Sequence, residues 1–316
     1  MYDTPKRTVP IKLIWMFVTL MVMISGLSLL ITTRMGFNSR LLMNVFYSAA
    51  PIALLSVAAY LCLLRGSLNL ALPGIACLCG NVMAQIAQSS GNAIPGALTA
   101  VFIGAALGAL TGLFAIPSRR KVLLVTGLSS LFLGGMFFGI SGLISQGMLI
   151  SVPSGREVSS VFCWLGLFAA AALAILGSLG RQASPSANAG EPEPSGGMRF
   201  LWSVIAGAVA GLGGAVMVVR LGGGQPVLFS NYNEMTIVPV LLLAGILIPN
   251  VRRSTGEAIM GGLAVLLAVL GFAMISMYFS IMALDMYAQR MAIGILCALL
   301  LIPNLLICRS DGVKTL

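Results

Sequence analysis

Runs of about twenty apolar residues, one after another, constrain this chain more than any other feature. They fall at 14–32, 42–64, 68–89, 94–116, 122–148, 161–179, 200–219, 235–249, 257–281 and 287–307. A helix needs about 20 residues to cross the hydrocarbon core of a bilayer, and a membrane barrel strand only about ten with period-two alternation. The runs are long and do not alternate. The expected fold is therefore an all-α polytopic membrane protein of about ten transmembrane helices, forming a single transmembrane domain over residues 1–316. Composition agrees: 59% of residues are hydrophobic, 8% are charged and the mean hydropathy is +1.03. Soluble domains carry about 25% charged residues. A cytosolic enzyme, a secreted disulfide scaffold and a disordered tail are excluded.

The charges set the orientation. The N-terminal MYDTPKRTVPIK is polar and basic, and no small-residue cleavage site is placed to release the apolar run that follows. That run reads as a retained first helix, not a signal peptide. Ten spans place both termini on one side. With the N-terminus in the cytoplasm, the inner set is Lys6, Arg7, Lys12, Arg65, Arg119, Arg120, Lys121, Arg181, Arg199, Arg252, Arg253, Arg309 and Lys314. Outside fall Arg34, Arg40, Arg156, Arg220 and Arg290. Thirteen of the 18 basic residues are thus inside, as the positive-inside rule requires. These residues sit singly or in short clusters between apolar runs, so the net charge of +10 reads as topology and not as a nucleic-acid surface.

Two spans look irregular. The third carries Asn69, Pro73, Gly74, Gly80, Asn81 and Gln85, and the eighth is about 15 residues long with Pro239 inside. Short spans broken by Pro or Gly are where transporters unwind backbone to line a cavity. A kinked helix packed among its neighbours is the other reading, and it is favoured for the eighth span. Gly104, Gly108 and Gly112 in the fourth span, and Gly207, Gly211 and Gly214 in the seventh, stand at helix-packing spacing. Such stripes let backbones approach closely in lipid. The loop 180–199 is rich in Pro, Ser, Gly and Ala and reads as a flexible linker with six spans before it and four after. A five-plus-five repeat would need inverted halves, and no sequence period establishes one.

The chemistry is sparse. No acidic or basic residue lies well inside a span, so neither a charged proton relay nor an arginine ladder is expected. There is no His, and Cys62, Cys77, Cys79, Cys163, Cys297 and Cys308 lie in or beside apolar runs with no ligand pattern around them. They read as small packing residues, and no metal site or cofactor is expected in this chain. No GxxxxGK[ST] phosphate loop occurs, so the chain does not hydrolyse ATP itself. A path for a neutral or weakly polar solute, with energy supplied elsewhere, fits this set. A membrane enzyme would want His or paired carboxylates near one membrane face, and neither cluster is present.

Four segments resemble the ribose-type permeases of bacterial ABC importers, within the broad superfamily of branched-chain amino acid, ribose and nucleoside permeases. Residues 66–74, GSLNLALPG, resemble the family's G-x-D-L-S-V-G stretch opening the third span. IPGALTAVFIGAALGALTGLFAIPSRRKV resembles the fourth span and its basic loop. Residues 203–226, SVIAGAVAGLGGAVMVVRLGGGQP, resemble G-L-x-A-x-L-A-G…A-R-x-G-x-x-Q-P and form the most specific match. Residues 233–245, NEMTIVPVLLLAG, resemble Y-E-L-D-A-I-A-A-V-V-L-G-G. The chain departs from the family at Asn69, where the family has Asp. It departs again after Gly180 and Arg181, where a cytoplasmic helix gives way to SPSANAGEPEPSGG, and at Asn250, Arg252 and Arg253, which replace glycines. These departures suggest a divergent branch or one half of a heterodimer.

The resemblance implies a multi-pass protein of the bacterial inner membrane. It implies three protein partners: a cytoplasmic ATP-binding subunit carrying ATP and Mg, an extracytoplasmic solute-binding protein, and a second permease chain. Arg220, Gln225 and Glu234 would then face the binding protein, or else anchor the seventh and eighth helices at the interface. Asn69, Asn81 and Gln85 would offer neutral hydrogen bonds along the translocation path, or else join helices to one another. Arg119, Arg120, Lys121, Arg181, Arg252 and Arg253 would flank the ATPase contact, although topology alone also accounts for charges there. A sugar is the expected solute and a nucleoside the next. A passive channel or a non-transporting scaffold subunit is the alternative of another class.

Overall fold

The computed structural model describes residues 39–114, 116, 122–146, 148–152, 156–179, 196–224, 234–244, 255–283 and 285–310. The first apolar run, 14–32, lies outside them. Among the described residues each remaining run carries a helix: α1 (Ser39–Leu64), α2 (Leu72–Ser90), α3 (Ala93–Leu113), α4 (Val122–Ser145), α5 (Arg156–Leu179), α6 (Gly196–Leu221), α7 (Glu234–Leu243), α8 (Thr255–Ile281) and α9 (Met286–Ser310). Two short strands, β1 (Ile150–Ser151) and β2 (Gly223–Gly224), pair antiparallel. In a hydrocarbon solvent every backbone polar group needs an internal partner, and helices supply one residue by residue. Six helices, α1, α3, α4, α5, α6 and α8, are long and apolar enough to cross a membrane. The chain is an all-α, multi-pass membrane protein at that level of description.

The third run turns helical at Leu72, and residues 67–71 before it have no regular secondary structure. Pro73 stands at the first turn of α2, where its missing N–H costs nothing. Pro239 lies inside α7 and Pro51 inside α1, as neighbouring helices in a bundle allow.

α1 is the hub, packed against α5, α6, α7 and α8. It is apolar on every side, and a helix of that kind belongs in an interior. Of its membrane-crossing window 78% is buried, against 28% for α4 and 22% for α5. The outer helices turn large apolar side chains outward: Phe102 is 73% exposed, Phe132 77%, Leu143 80% and Phe168 69%. A surface like this suits lipid and not water.

The closest approach joins α3 to α6, which run antiparallel. Gly104 faces Gly207 and Gly211, and Gly108 faces Ser203 and Gly207. A Cβ added at Gly108 would stand 2.9 Å from the Gly207 Cα. The two glycine stripes expected from the spacing thus meet each other, except that Gly214 lies against Ala76 of α2 and Gly112 against Phe200 and Ser203.

The bundle also sorts its charges. At one end the Arg65 guanidinium stacks on Trp202 at 4.7 Å, one turn from Arg199. At the other end Arg220 Nη2 donates to Ser48 Oγ over 2.7 Å. α5 runs parallel to α1, with Trp164 against Phe46 and Tyr47, and Gly177 beside Leu61. Arg65 and Arg199 therefore share one end, while Arg40, Arg156 and Arg220 lie at the opposite one. That division is the one the positive-inside count makes for these five residues.

Candidate functional site

The seam between α2 and α4 gathers most of the polar chemistry in the described bundle. It begins with an interruption. α1 ends in a turn in which the N–H groups of Arg65 and Ser67 both donate to the Cys62 carbonyl, over 3.0 and 3.1 Å. Gly66 follows a left-handed φ of +75°, which a side chain would resist. Residues 67–71 then continue with no regular secondary structure, and Ser67, Asn69 and Ala71 are buried.

Non-helical backbone among packed helices leaves N–H and C=O groups without a helical partner, and each orphan is costly. Neighbouring hydroxyls meet the need. Leu68 N–H donates to Thr126 Oγ1 over 3.1 Å, and Leu70 N–H donates to Ser130 Oγ over 2.9 Å. Ser130 Oγ can donate in turn to the Leu68 carbonyl at 3.3 Å or to Gly127 in its own helix at 3.0 Å. Asn69 works on two sides: its Oδ1 accepts from Ala71 N–H at 3.1 Å, and its Nδ2 donates to Thr111 Oγ1 of α3 at 3.1 Å. Asn69 therefore closes a local turn just before α2 and ties it to α3.

Further along, the helices close until Gly74 lies against the Gly134 carbonyl, where a Cβ would overlap backbone. Beyond that contact, Asn81 Nδ2 donates to Ser141 Oγ. Cys77 Sγ donates to the same oxygen at 3.2 Å, and Ser141 Oγ can return a bond to the Cys77 carbonyl at 3.3 Å. Asn81 Oδ1 is buried and makes no hydrogen bond. Gln85, one turn further out and exposed, donates from Nε2 to the Ile144 carbonyl at 3.3 Å.

The strand pair packs on α2 and α6 at this end of the seam. Ile150 pairs with Gly224 and Ser151 with Gly223, and Val152 N–H donates to the Gly222 carbonyl at 3.0 Å. Gly224 packs directly on α2, at Asn81 and Ala84.

The expected path residues are thus brought to one helix and its approach, each engaged with a neighbour: Asn69 with Thr111, Asn81 with Ser141, Gln85 with Ile144. Of the expected outer-side residues, Arg220 holds Ser48, Glu234 opens α7 with its side chain outside the described part, and Gln225 lies outside the described residues. Arg119, Arg120, Lys121, Arg181, Arg252 and Arg253 also lie outside them. Thr111, Thr126, Ser130 and Ser141 are the polar partners that sequence reasoning missed. A signal existed: Thr126, Ser130, Gly134, Phe137, Ser141 and Ser145 recur every three or four residues and form the buried stripe of α4. No family model, no curated protein and no solved structure matches this chain.

Proposed function

We propose that this chain is the membrane-spanning permease subunit of a bacterial ABC importer. It would form the path for a small neutral solute, a sugar first and a nucleoside next. A binding protein would deliver the solute and a separate ATPase would drive its passage. One observation carries the reading: a non-helical, hydrogen-bonded segment sits among packed helices where the sequence resembles the family's third-span motif. Transporters use non-helical backbone of this kind to line their solute paths. The polar groups along α2 are amides and hydroxyls with no charge among them, which suits a neutral solute. The orientation of the five placed arginines fits an inner-membrane protein with the ATPase contact at the Arg65 end.

Co-purification tests the proposal. The tagged chain, expressed with its genomic neighbours and solubilised in mild detergent, should bring down a stoichiometric ATPase, alone or with a second permease chain. A chain that purifies alone, with no nucleotide-binding partner under crosslinking, would sink the importer. The second reading, a passive channel or a scaffold subunit, draws on two observations. Asn69 and Asn81 spend their amides on neighbouring helices, and the loop after Arg181 is broken by Pro185, Pro192 and Pro194 where the family docks its ATPase.

A further inference from the structure

We propose that the β1–β2 pair is a hinged strap over the α2–α4 seam, closed in this structure, whose lifting presents Asn81 to the solvent on that side. The inference rests on reading the seam as part of a solute path. Four observations carry it.

The strap is weakly built. Each strand has two residues, and among the described residues no third strand joins them. Such a pair has little stability of its own and belongs to the parts of a fold that open locally. The strap also has a hinge: Gly222, at φ +71°, turns the chain off the end of α6, and no atom stands where its Cβ would go. Its tip is fitted to what it covers. A Cβ at Gly224 would stand 2.7 Å from Asn81 Oδ1 and 2.8 Å from Ala84 Cβ, so only glycine seats there without displacing the strand.

Beneath the tip, the Asn81 side chain is fully buried. Its Nδ2 is held by Ser141, and its Oδ1, directly under Gly224, is left unpaired. An orphaned carbonyl oxygen penalises the closed state, and the penalty disappears once water or a solute hydroxyl reaches it. The asparagine therefore works against the strand contacts that bury it. A strap balanced in this way opens with a small input of free energy.

The test is thiol labelling. Ala84→Cys places a reporter beneath Gly224, and a membrane-impermeant maleimide is applied from the Arg220 side, with the parent chain as the blank for native cysteines. In otherwise native protein the reporter should label slowly. Adding Gly224→Val should raise the rate at least tenfold by holding the strap off α2. Adding Asn81→Leu, which fills the site without an unpaired oxygen, should lower it about tenfold, equivalent to about 1.4 kcal/mol. Unfolding in SDS gives the total reporter in each variant, and a detergent melting curve checks that each variant is folded. If Gly224→Val does not fold, the Asn81→Leu arm decides alone. Equal rates with Asn81 and its leucine variant overturn the proposal, as does native labelling as fast as in SDS. No solute, ATPase or binding protein enters the assay. Rates in the expected order without a co-purifying ATPase would keep the strap and remove the importer.

Discussion

Two seams hold this bundle together by different means. Between α3 and α6, glycine meets glycine and backbone lies on backbone. Between α2 and α4, one glycine contact at Gly74 and Gly134 is flanked on both sides by hydroxyls and amides bonded across the gap. The first seam gains its stability from dispersion at short range, which is lost steeply with separation. It has one good register and resists sliding. The second is made of bonds worth about 0.6 kcal/mol each on average in membrane bundles, with partners that water or another hydroxyl can replace. If the molecule changes shape, α3 and α6 should move as one body and α2 should shift against α4.

Substitutions can break this contrast. The largest effect is expected from Gly207→Leu, whose side chain would have to occupy the backbone of Gly104 and Gly108. Overpacking of a tight core costs about 1–3 kcal/mol and here should reach or pass the upper figure, because rigid backbone lies opposite. The melting temperature in detergent should fall sharply, or the protein should fail to purify as a single species. A melt indistinguishable from the parent's would show that the glycine stripes do not close the seam.

A smaller loss is expected at the polar seam. Combining Thr126→Val with Ser130→Ala strips the Leu68 and Leu70 N–H groups of their acceptors, at about 0.6 kcal/mol for each of these part-buried bonds. Hydrogen exchange over residues 66–71 should quicken well before the rest of the bundle does. Ser129 bonds within its own helix, to Val125 at 2.6 Å, so Ser129→Ala should leave that exchange unchanged. A uniform rise across the bundle would argue against a local role for these hydroxyls. The smallest effect is a coupling. A double-mutant cycle of Asn69→Leu and Thr111→Val, read by the same melts, should return about 0.6 kcal/mol. A value near zero would leave Asn69 with its turn before α2 alone.

Hydropathy made the helices legible, because a run of about 20 apolar residues has few other uses. It could not place the start of α2. Leu68, Leu70 and Ala71 are equally apolar in a helix or an extended segment, and what decides is Thr126 and Ser130, some 60 residues later in the chain. The glycine stripes were legible as packing surfaces from their spacing, but which stripe meets which is a tertiary fact. The hydroxyls of α4 were overlooked because a lone Ser or Thr inside an apolar run looks incidental. Only their shared face gives them a purpose. The two-residue strands left no periodicity at all.

The non-helical segment before α2 has a consequence in time. A helix such as α1 satisfies its own backbone and can rest in lipid as soon as it is made. The stretch from Ser67 to Ala71 cannot, since the acceptors for Leu68 and Leu70 lie 58 and 60 residues downstream. At about 5–20 residues per second, synthesis leaves a gap of roughly 3–12 s before α4 arrives. During that interval the segment must stay wet, shelter in the insertion machinery, or coil provisionally onto the end of α2. Its final form is therefore a late event, installed when a later helix joins an earlier one.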